Sequence, residues 1–453
     1  MPKDNERGGA SKALYITFFF TGLGYLFPFN VLVSDIDFLK ESYPSLNLEF
    51  IISIAYNIPC VFVLLLLVKF GDRLSFSGRI YTAFGVDLAV LAALAGLRFI
   101  SISPPLLLWS TVAASIVTGC AAAVVDGTLF GLASKFPSSC VQAVMAAIPL
   151  SGTVTGLQKI IIKLVIVSIN GGEGEVSEAT VETETQLNSR IYFIVSCAMV
   201  IVSIVAYSLL RRQREAKAVL NRCNVKAPIQ YSVNRRENQA LLNDENDPAD
   251  SKDSRTSESE TPHGSLVPGR ESFSTASAAH VRAKRRRWAV FKKIWVHGFT
   301  VFLSYMIALA VYPGLVSSMK PNDPSFEGWY PIILLTLVQV SDMAGRYLPL
   351  LKIPRKVISF NWISAIVRVA FIPLMILCVK PRIFGEVVAI VLVIVSSMSL
   401  GFVSTLSMGA APSLVDEAEE EIAGTLMSFC LNAGLVVGSL IGLGIEAYLI
   451  GHV

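Results

Sequence analysis

Trp329-Tyr-Pro-Ile-Ile-Leu-Leu-Thr-Leu-Val-Gln-Val-Ser-Asp342-Met-Ala-Gly345-Arg346-Tyr-Leu-Pro-Leu-Leu351 reads as a membrane span, yet it carries two opposite charges one helical turn apart. A bare charge near the bilayer centre costs about 2.5–3.5 kcal/mol on insertion scales. Spacing of i, i+4 puts both side chains on one helix face, where they partly neutralise each other. A chain that keeps such a pair usually turns it toward the protein interior or a water-filled path. The stretch therefore predicts a helix in a membrane bundle, with Asp342 and Arg346 either a gate or solute-path pair or a pair snorkelling at its cytoplasmic end.

Working outward, the whole chain has the same character. Its 453 residues are 53% hydrophobic and 16% charged, against about 25% charged in soluble domains. Runs of about 18 or more apolar residues cross the hydrocarbon core as helices. Such runs fall near 13–34, 49–69, 80–100, 105–134, 139–168, 190–210, 295–318, 329–351, 357–379, 384–410 and 422–450. The reading is an all-α polytopic membrane protein of about eleven transmembrane helices. The first run lacks a small-residue cleavage site and reads as a retained span. A net charge of +4 argues for no nucleic acid. Seven cysteines stand singly, with no CxxC, so neither a disulfide framework nor a metal site is expected, and no cofactor motif appears.

The runs divide into a short amino-terminal segment (1–12), six spans (13–210), a polar connection (211–290) and five spans (291–453). The connection is rich in Arg, Glu, Ser, Asn and Asp, and reads as disordered. Arg211, Arg212, Arg214 and Lys217 at one end, and Lys284 to Arg287 at the other, mark it as cytoplasmic. Six spans before it place the amino terminus on the same side. The acidic loop at 170–189 then falls outside, whereas the acidic run Asp416 to Glu421 falls inside, against the trend. Pro28 and Pro313 lie at similar depths in the first and seventh spans. Matched interruptions of this kind point to a transporter built from repeats, with its site between them.

Several stretches resemble the motifs of equilibrative nucleoside transporters. Gly24-Tyr-Leu26-Phe-Pro28-Phe29-Asn30 is similar to that family's Gly-x-x-Leu-Pro-Trp-Asn signature, and Asp342-x-x-Gly345-Arg346 to its Asp-x-x-Gly-Arg motif. Gly127-Thr-Leu-Phe-Gly131, Arg368-Val-Ala-Phe-Ile-Pro373, Lys380-Pro-Arg, Glu417 to Gly424 and Gly434-Leu-Val-Val-Gly438 follow in the family's order. The resemblance implies a major-facilitator-like fold of 6 + 5 spans that moves nucleosides or nucleobases by alternating access, as a monomer and without enzymatic activity. Carried over residue by residue, it implies a site of Leu26, Phe29, Asn30, Asn57, Cys60, Asp126, Gly152, Asp342, Arg346 and Leu435. Pro28, Pro313 and Gly345 are implied as kink or gating positions.

The chemistry of the residues agrees. A nucleoside joins a flat apolar base to a hydroxyl-rich ribose, so its site needs apolar walls and a few fixed polar groups. Phe29 offers a stacking face, Asn30 a donor and an acceptor, and Arg346 a planar set of donors. Phe29 and Asn30 equally fit ordinary packing and helix bridging. Phe29 stands where the family has Trp, and Ala147 where it has Gly. Asp126 stands where it usually has a neutral Gln. A carboxylate in a dry interior favours its neutral form, so Asp126 points to a co-transported proton or a basic solute, or else to simple pairing with a polar neighbour. Asp87, Lys159, Lys163 and Arg368 are further polar residues within spans, with Arg368 read as a tie between helices.

Glu237-Asn-Gln-Ala-Leu241-Leu242 fits an acidic dileucine sorting signal, which adds an endolysosomal alternative to residence in the plasma membrane. No Asn-x-Ser/Thr sequon occurs. Asp87 and Asp126 raise an intramembrane aspartyl protease, but the chain lacks Gly-x-Gly-Asp. A facilitator of organic cations or sugars remains the alternative function, while the absence of a phosphate-cradling loop argues against an ATP-driven pump.

Overall fold

The computed structural model describes residues 11–36, 39, 43, 48–71, 75–97, 103–169, 178–221, 271–322, 326, 328–351, 353–379 and 383–450. Among them there is no strand. Six helices form the first half: α1 (Lys12–Ser34), α2 (Leu48–Phe70), α3 (Phe76–Leu97), α4 (Pro104–Ala133), α5 (Ser138–Ile169) and α6 (Glu178–Arg212). Five form the second: α7 (Glu271–Val311), α8 (Tyr330–Tyr347), α9 (Asn361–Val379), α10 (Glu386–Ala410) and α11 (Glu420–Ile450). Ten of the eleven are long and apolar enough to cross a membrane. The exception is α8, whose Gln339, Asp342 and Arg346 lower its hydropathy; it nonetheless packs between α5 and α10 like any other member of the bundle.

Local signals account for the helix ends. The Ser11 side chain caps α1 by accepting from the Leu14 N–H at 3.3 Å. Pro104 opens α4, where its missing N–H costs nothing. Pro28, Pro59 and Pro149 sit inside α1, α2 and α5, each removing one backbone hydrogen bond that a soluble helix would seldom surrender. Pro313 acts differently. There α7 has already stopped at Val311, and a separate short helix, Gly314–Ser317, follows. In α9 the α-helix yields to a single 3₁₀ turn over Arg368–Ala370, just ahead of Pro373, whose ring conflicts with the preceding carbonyls.

Three expectations need correction. The connection read as disordered over 211–290 is helical at both ends, through Arg212, over 214–221, and from Glu271 onward. Of the acidic loop expected at 170–189, residues from Glu178 onward belong to α6, and 170–177 lie outside the described residues. Hydropathy sees only the apolar part of a helix, so polar extensions of α6 and α7 escape it. The ninth span, expected as one helix from 357, is broken at Arg368 and preceded by a separate short helix, Arg355–Ser359. Glu237, Leu241 and Leu242 lie outside the described residues.

Packing repeats with an offset of six helices. In the first half α1 lies against α5 and α2 against α4; in the second, α7 lies against α11 and α8 against α10. The halves meet through α2 with α11 and α5 with α8, two contacts that the same offset exchanges. Close crossings rest on glycine. A Cβ on Gly345 would stand 2.0 Å from the Met398 carbonyl oxygen, and one on Gly401 would stand 2.2 Å from that of Asp342, so α8 and α10 touch backbone to backbone.

Candidate functional site

Between the halves lies a cavity of about 1080 Å³, its open mouth included, lined by residues of α1, α2, α5, α7, α8, α9, α10 and α11. Of the expected site residues, Leu26, Phe29, Asn30, Asn57, Asp342, Arg346 and Leu435 line it. Its walls are mostly apolar. The Phe29 and Tyr56 rings stand 4.6 Å apart, tilted by 43°, and form an aromatic corner across α1 and α2. Asn30 is held from behind, its Nδ2 donating to Ser151 Oγ at 2.5 Å, and Asn57 donates to the Ser53 carbonyl at 2.8 Å.

Asp342 and Arg346 form the expected pair. Arg346 Nη2 donates to Asp342 Oδ2 at 2.7 Å, and Nε reaches Oδ1 and Oδ2 at 3.1 and 3.2 Å. Arg346 Nη1 also donates to the Met145 carbonyl at 2.7 Å and Nη2 to Tyr305 OH at 3.2 Å. Arg346 is thus nearly saturated by protein partners, which leaves it few donors for anything else. The pair sits inside the bundle, with Arg346 1% exposed, so snorkelling is ruled out.

Three expected residues stand outside the lining, and Cys60 and Asp126 lie one layer back. Cys60 is fully buried and donates its thiol to Asn432 Oδ1 at 3.2 Å. Asp126 Oδ2 accepts from Asn432 Nδ2 at 2.6 Å, while its Oδ1 has no partner. Asn432 itself lines the cavity. This asparagine, absent from the expected set, therefore connects the cavity to both. Gly152 is a notch: a Cβ there would stand 2.4 Å from the Gln339 amide carbon, so Gly152 seats Gln339 of α8 against α5. Gln339, with Tyr25, Tyr305 and Tyr312, lines the cavity and was likewise unexpected. Among the kink positions, Pro28 adjoins Phe29 without lining the cavity, Pro313 begins the turn after α7, and Gly345 serves the α8–α10 crossing. Lys163 lies at the rim of the bundle, donating to the Gly328 carbonyl at 2.6 Å. Among the described residues no cluster of His, Cys, Asp and Glu suits a metal.

The bundle is bolted together at one end, the end bearing the basic clusters. Glu421, at the start of α11, pairs with Arg79 of α3 at 3.4 Å and with Lys135 after α4 at 3.5 Å. Arg287 of α7 donates to the Lys69 carbonyl at the end of α2 at 2.8 Å. Glu419 takes Lys293 at 3.1 Å and Arg286 at 3.9 Å. The acidic run that ran against the charge trend is thus the counter-charge of its basic neighbours. Beneath it, Gly424 packs on the Phe130 carbonyl, and Thr425 Oγ1 donates to the Gly127 carbonyl at 3.1 Å, closing α11 on α4.

Comparison with known proteins agrees with this architecture. The model of the nucleoside transporter family matches residues 112–447. Equilibrative nucleotide transporter 8 of Arabidopsis thaliana is 24% identical over 446 residues, covering 96% of each chain. Equilibrative nucleoside transporter 2 of Mus musculus is 25% identical, over 98% of this chain and 100% of its own. Equilibrative nucleoside transporter 4 of Homo sapiens is 23% identical, over 95% and 82%. Among solved structures, the major facilitator superfamily proton:xylose symporter XylE superposes with a TM-score of 0.53 at 14% identity, over 97% of this chain and 89% of its own. That likeness concerns the fold alone.

Proposed function

The chain belongs to the nucleoside transporter family and is a multi-pass membrane transporter; from that premise we propose that it carries nucleosides or nucleobases by alternating access. The observation that carries this reading is the cavity between the two halves, apolar and aromatic on most walls, with a few fixed amides and one internal ion pair. Such a lining matches a flat base with polar edges. The halves rock about the α2–α11 and α5–α8 contacts. The ion pairs of Glu421 and the Gly424 crossing close the cytoplasmic end in the present state, and the cavity is served from the opposite side. The carrier works as a monomer, with the plasma membrane as its site of residence.

The test is uptake of labelled uridine and adenosine by proteoliposomes holding the full chain, challenged with hypoxanthine, glucose and an organic cation. Competition by hypoxanthine alone supports the reading. Competition by glucose or the organic cation, without uptake of either nucleoside, moves the assignment to the wider facilitator class.

A second reading concerns protons. Asp126 is one hydrogen bond from the cavity through Asn432 and keeps one oxygen unpartnered, which favours a carboxylate that exchanges a proton as the cycle turns. An imposed inward pH gradient is expected to accelerate uptake in the native chain, and Asp126→Asn to abolish that acceleration while downhill uptake persists. Equal uptake with and without the gradient removes the coupling and leaves the carrier.

A further inference from the structure

Arg368 lines the cavity from the 3₁₀ break in α9 and is 2% exposed. Its Nη1 is anchored, donating to the Ser396 carbonyl at 2.6 Å and to Ser399 Oγ. Its Nε and Nη2, the two groups on the side-on edge of the guanidinium, have no hydrogen-bond partner. Asp342, the carboxylate whose charge acts on it, commits both oxygens to Arg346. Among the described residues Arg368 therefore has no ion-pair partner, and a buried guanidinium edge without acceptors is costly. Helix ties spend their donors on helices; here the better half of the fork is unspent.

We propose that Arg368 is a solute-binding fork, selecting solutes that present two neighbouring hydrogen-bond acceptors with no donor between them. The side-on edge matches planar acceptor pairs, as it does for carboxylate, phosphate and the O6/N7 edge of guanine. In the solute class of this family the shared chemistry has two sources. One is the O6/N7 edge of a 6-oxopurine base; the other is a phosphate group on a nucleoside monophosphate. Adenine presents N7 beside an amino group, so it sets one donor against the fork. Met375 and Val393, which also line this end of the cavity, supply an apolar seat for a ring. The inference rests on the carrier reading and narrows it.

The experiment compares inosine, adenosine and adenosine monophosphate in proteoliposomes of the full chain and of Arg368→Lys, which keeps the charge but lacks the fork. In the native chain inosine is expected to have a KM about tenfold lower than adenosine, the size of one bidentate contact. Arg368→Lys brings the ratio of the two KM values to about one, changing kcat little. If the base edge is the partner, inosine alone gains; if phosphate is the partner, the monophosphate competes better than adenosine, and Arg368→Lys erases that advantage. Where Arg368→Lys does not fold, Ser399→Ala drops one anchor of Nη1 and is expected to shrink the ratio several-fold. The proposal is overturned if neither inosine nor the monophosphate surpasses adenosine in the native chain. It is equally overturned if Arg368→Lys, or Ser399→Ala in its place, leaves the selectivity as it was. Failure to take up any of the three solutes would instead sink the carrier reading.

Discussion

Replacing Asp342 by Asn is the most demanding test of the buried pair in α8. The substitution keeps the shape of the side chain and removes its charge, leaving the Arg346 guanidinium uncompensated. Asp342 is 5% exposed and Arg346 1%, so water cannot take over. With charge centres about 4 Å apart and an effective dielectric near 20, the lost attraction is about 4 kcal/mol. Breaking a buried pair by removing one partner costs about 3–5 kcal/mol in other proteins, and the two estimates agree. About 4 kcal/mol corresponds to nearly a thousandfold change in an equilibrium constant. Arg346→Gln alone strands the carboxylate and is expected to cost a similar amount. The double variant Asp342→Asn/Arg346→Gln strands neither, so it should recover about 2 kcal/mol or more of the summed losses. The assay is unfolding of the purified chain in detergent, run on the four proteins of the cycle. Additive losses, with coupling below about 0.5 kcal/mol, would refute the reasoning. Met145 and Tyr305 would then be holding Arg346 without help from Asp342.

Three further outcomes follow from the geometry. Gly345→Ala places a methyl 2.0 Å from the Met398 carbonyl oxygen, so α8 and α10 must part by about 1 Å, at an overpacking cost of about 1–3 kcal/mol; a lower unfolding temperature in detergent is expected, and an unchanged one contradicts the crossing. Glu421→Gln weakens the contacts with the buried Arg79 and with Lys135 at the end bearing the basic clusters. With Thr425 changed to Cys in a cysteine-free background, maleimide added from the basic face is expected to label several-fold faster in Glu421→Gln. Phe29→Ala removes the aromatic corner with Tyr56 and is expected to raise the KM for nucleosides about three- to tenfold, as loss of one aromatic contact does, with little change in the unfolding temperature.

How much of this was legible beforehand depends on the range over which each signal acts. Span number and rough limits were legible, because crossing lipid imposes a length and an apolarity on each helix by itself. The Asp342–Arg346 pair was legible for the same reason, since i, i+4 geometry is local. Asn432 was not. It is a single amide in the glycine-rich apolar run of α11, and its importance lies in Asp126, 306 residues away. That Asp126 and Cys60 lie one layer behind the lining was not legible, because α2 and α4 are mostly apolar and periodicity does not fix which face turns inward. The tie expected of Arg368 is present, but its unfilled edge was not legible. Nη1 makes the tie to α10, while the vacancy at Nε and Nη2 depends on which residues of other helices surround the guanidinium, which no local pattern encodes.

Alternating access also constrains what the Asp342–Arg346 pair can do. Both residues belong to α8, so rocking one half against the other does not part them. What the motion changes is the pair's hold on the other half. Arg346 Nη1 reaches the Met145 carbonyl of α5, and Gln142 of α5 donates to the Arg346 carbonyl at 3.1 Å. These two bonds span the α5–α8 contact, one of the two about which the halves move. At the end bearing the basic clusters the ties across the halves include two longer ion pairs of the partly exposed Glu421, with the buried Arg79 at 3.4 Å and with Lys135 at 3.5 Å. The division is physically sensible. The buried Asp342–Arg346 ion pair stays within one helix, where breaking it is never required, and the ties that lie between the halves are the two α5–α8 hydrogen bonds and the ion pairs of Glu421.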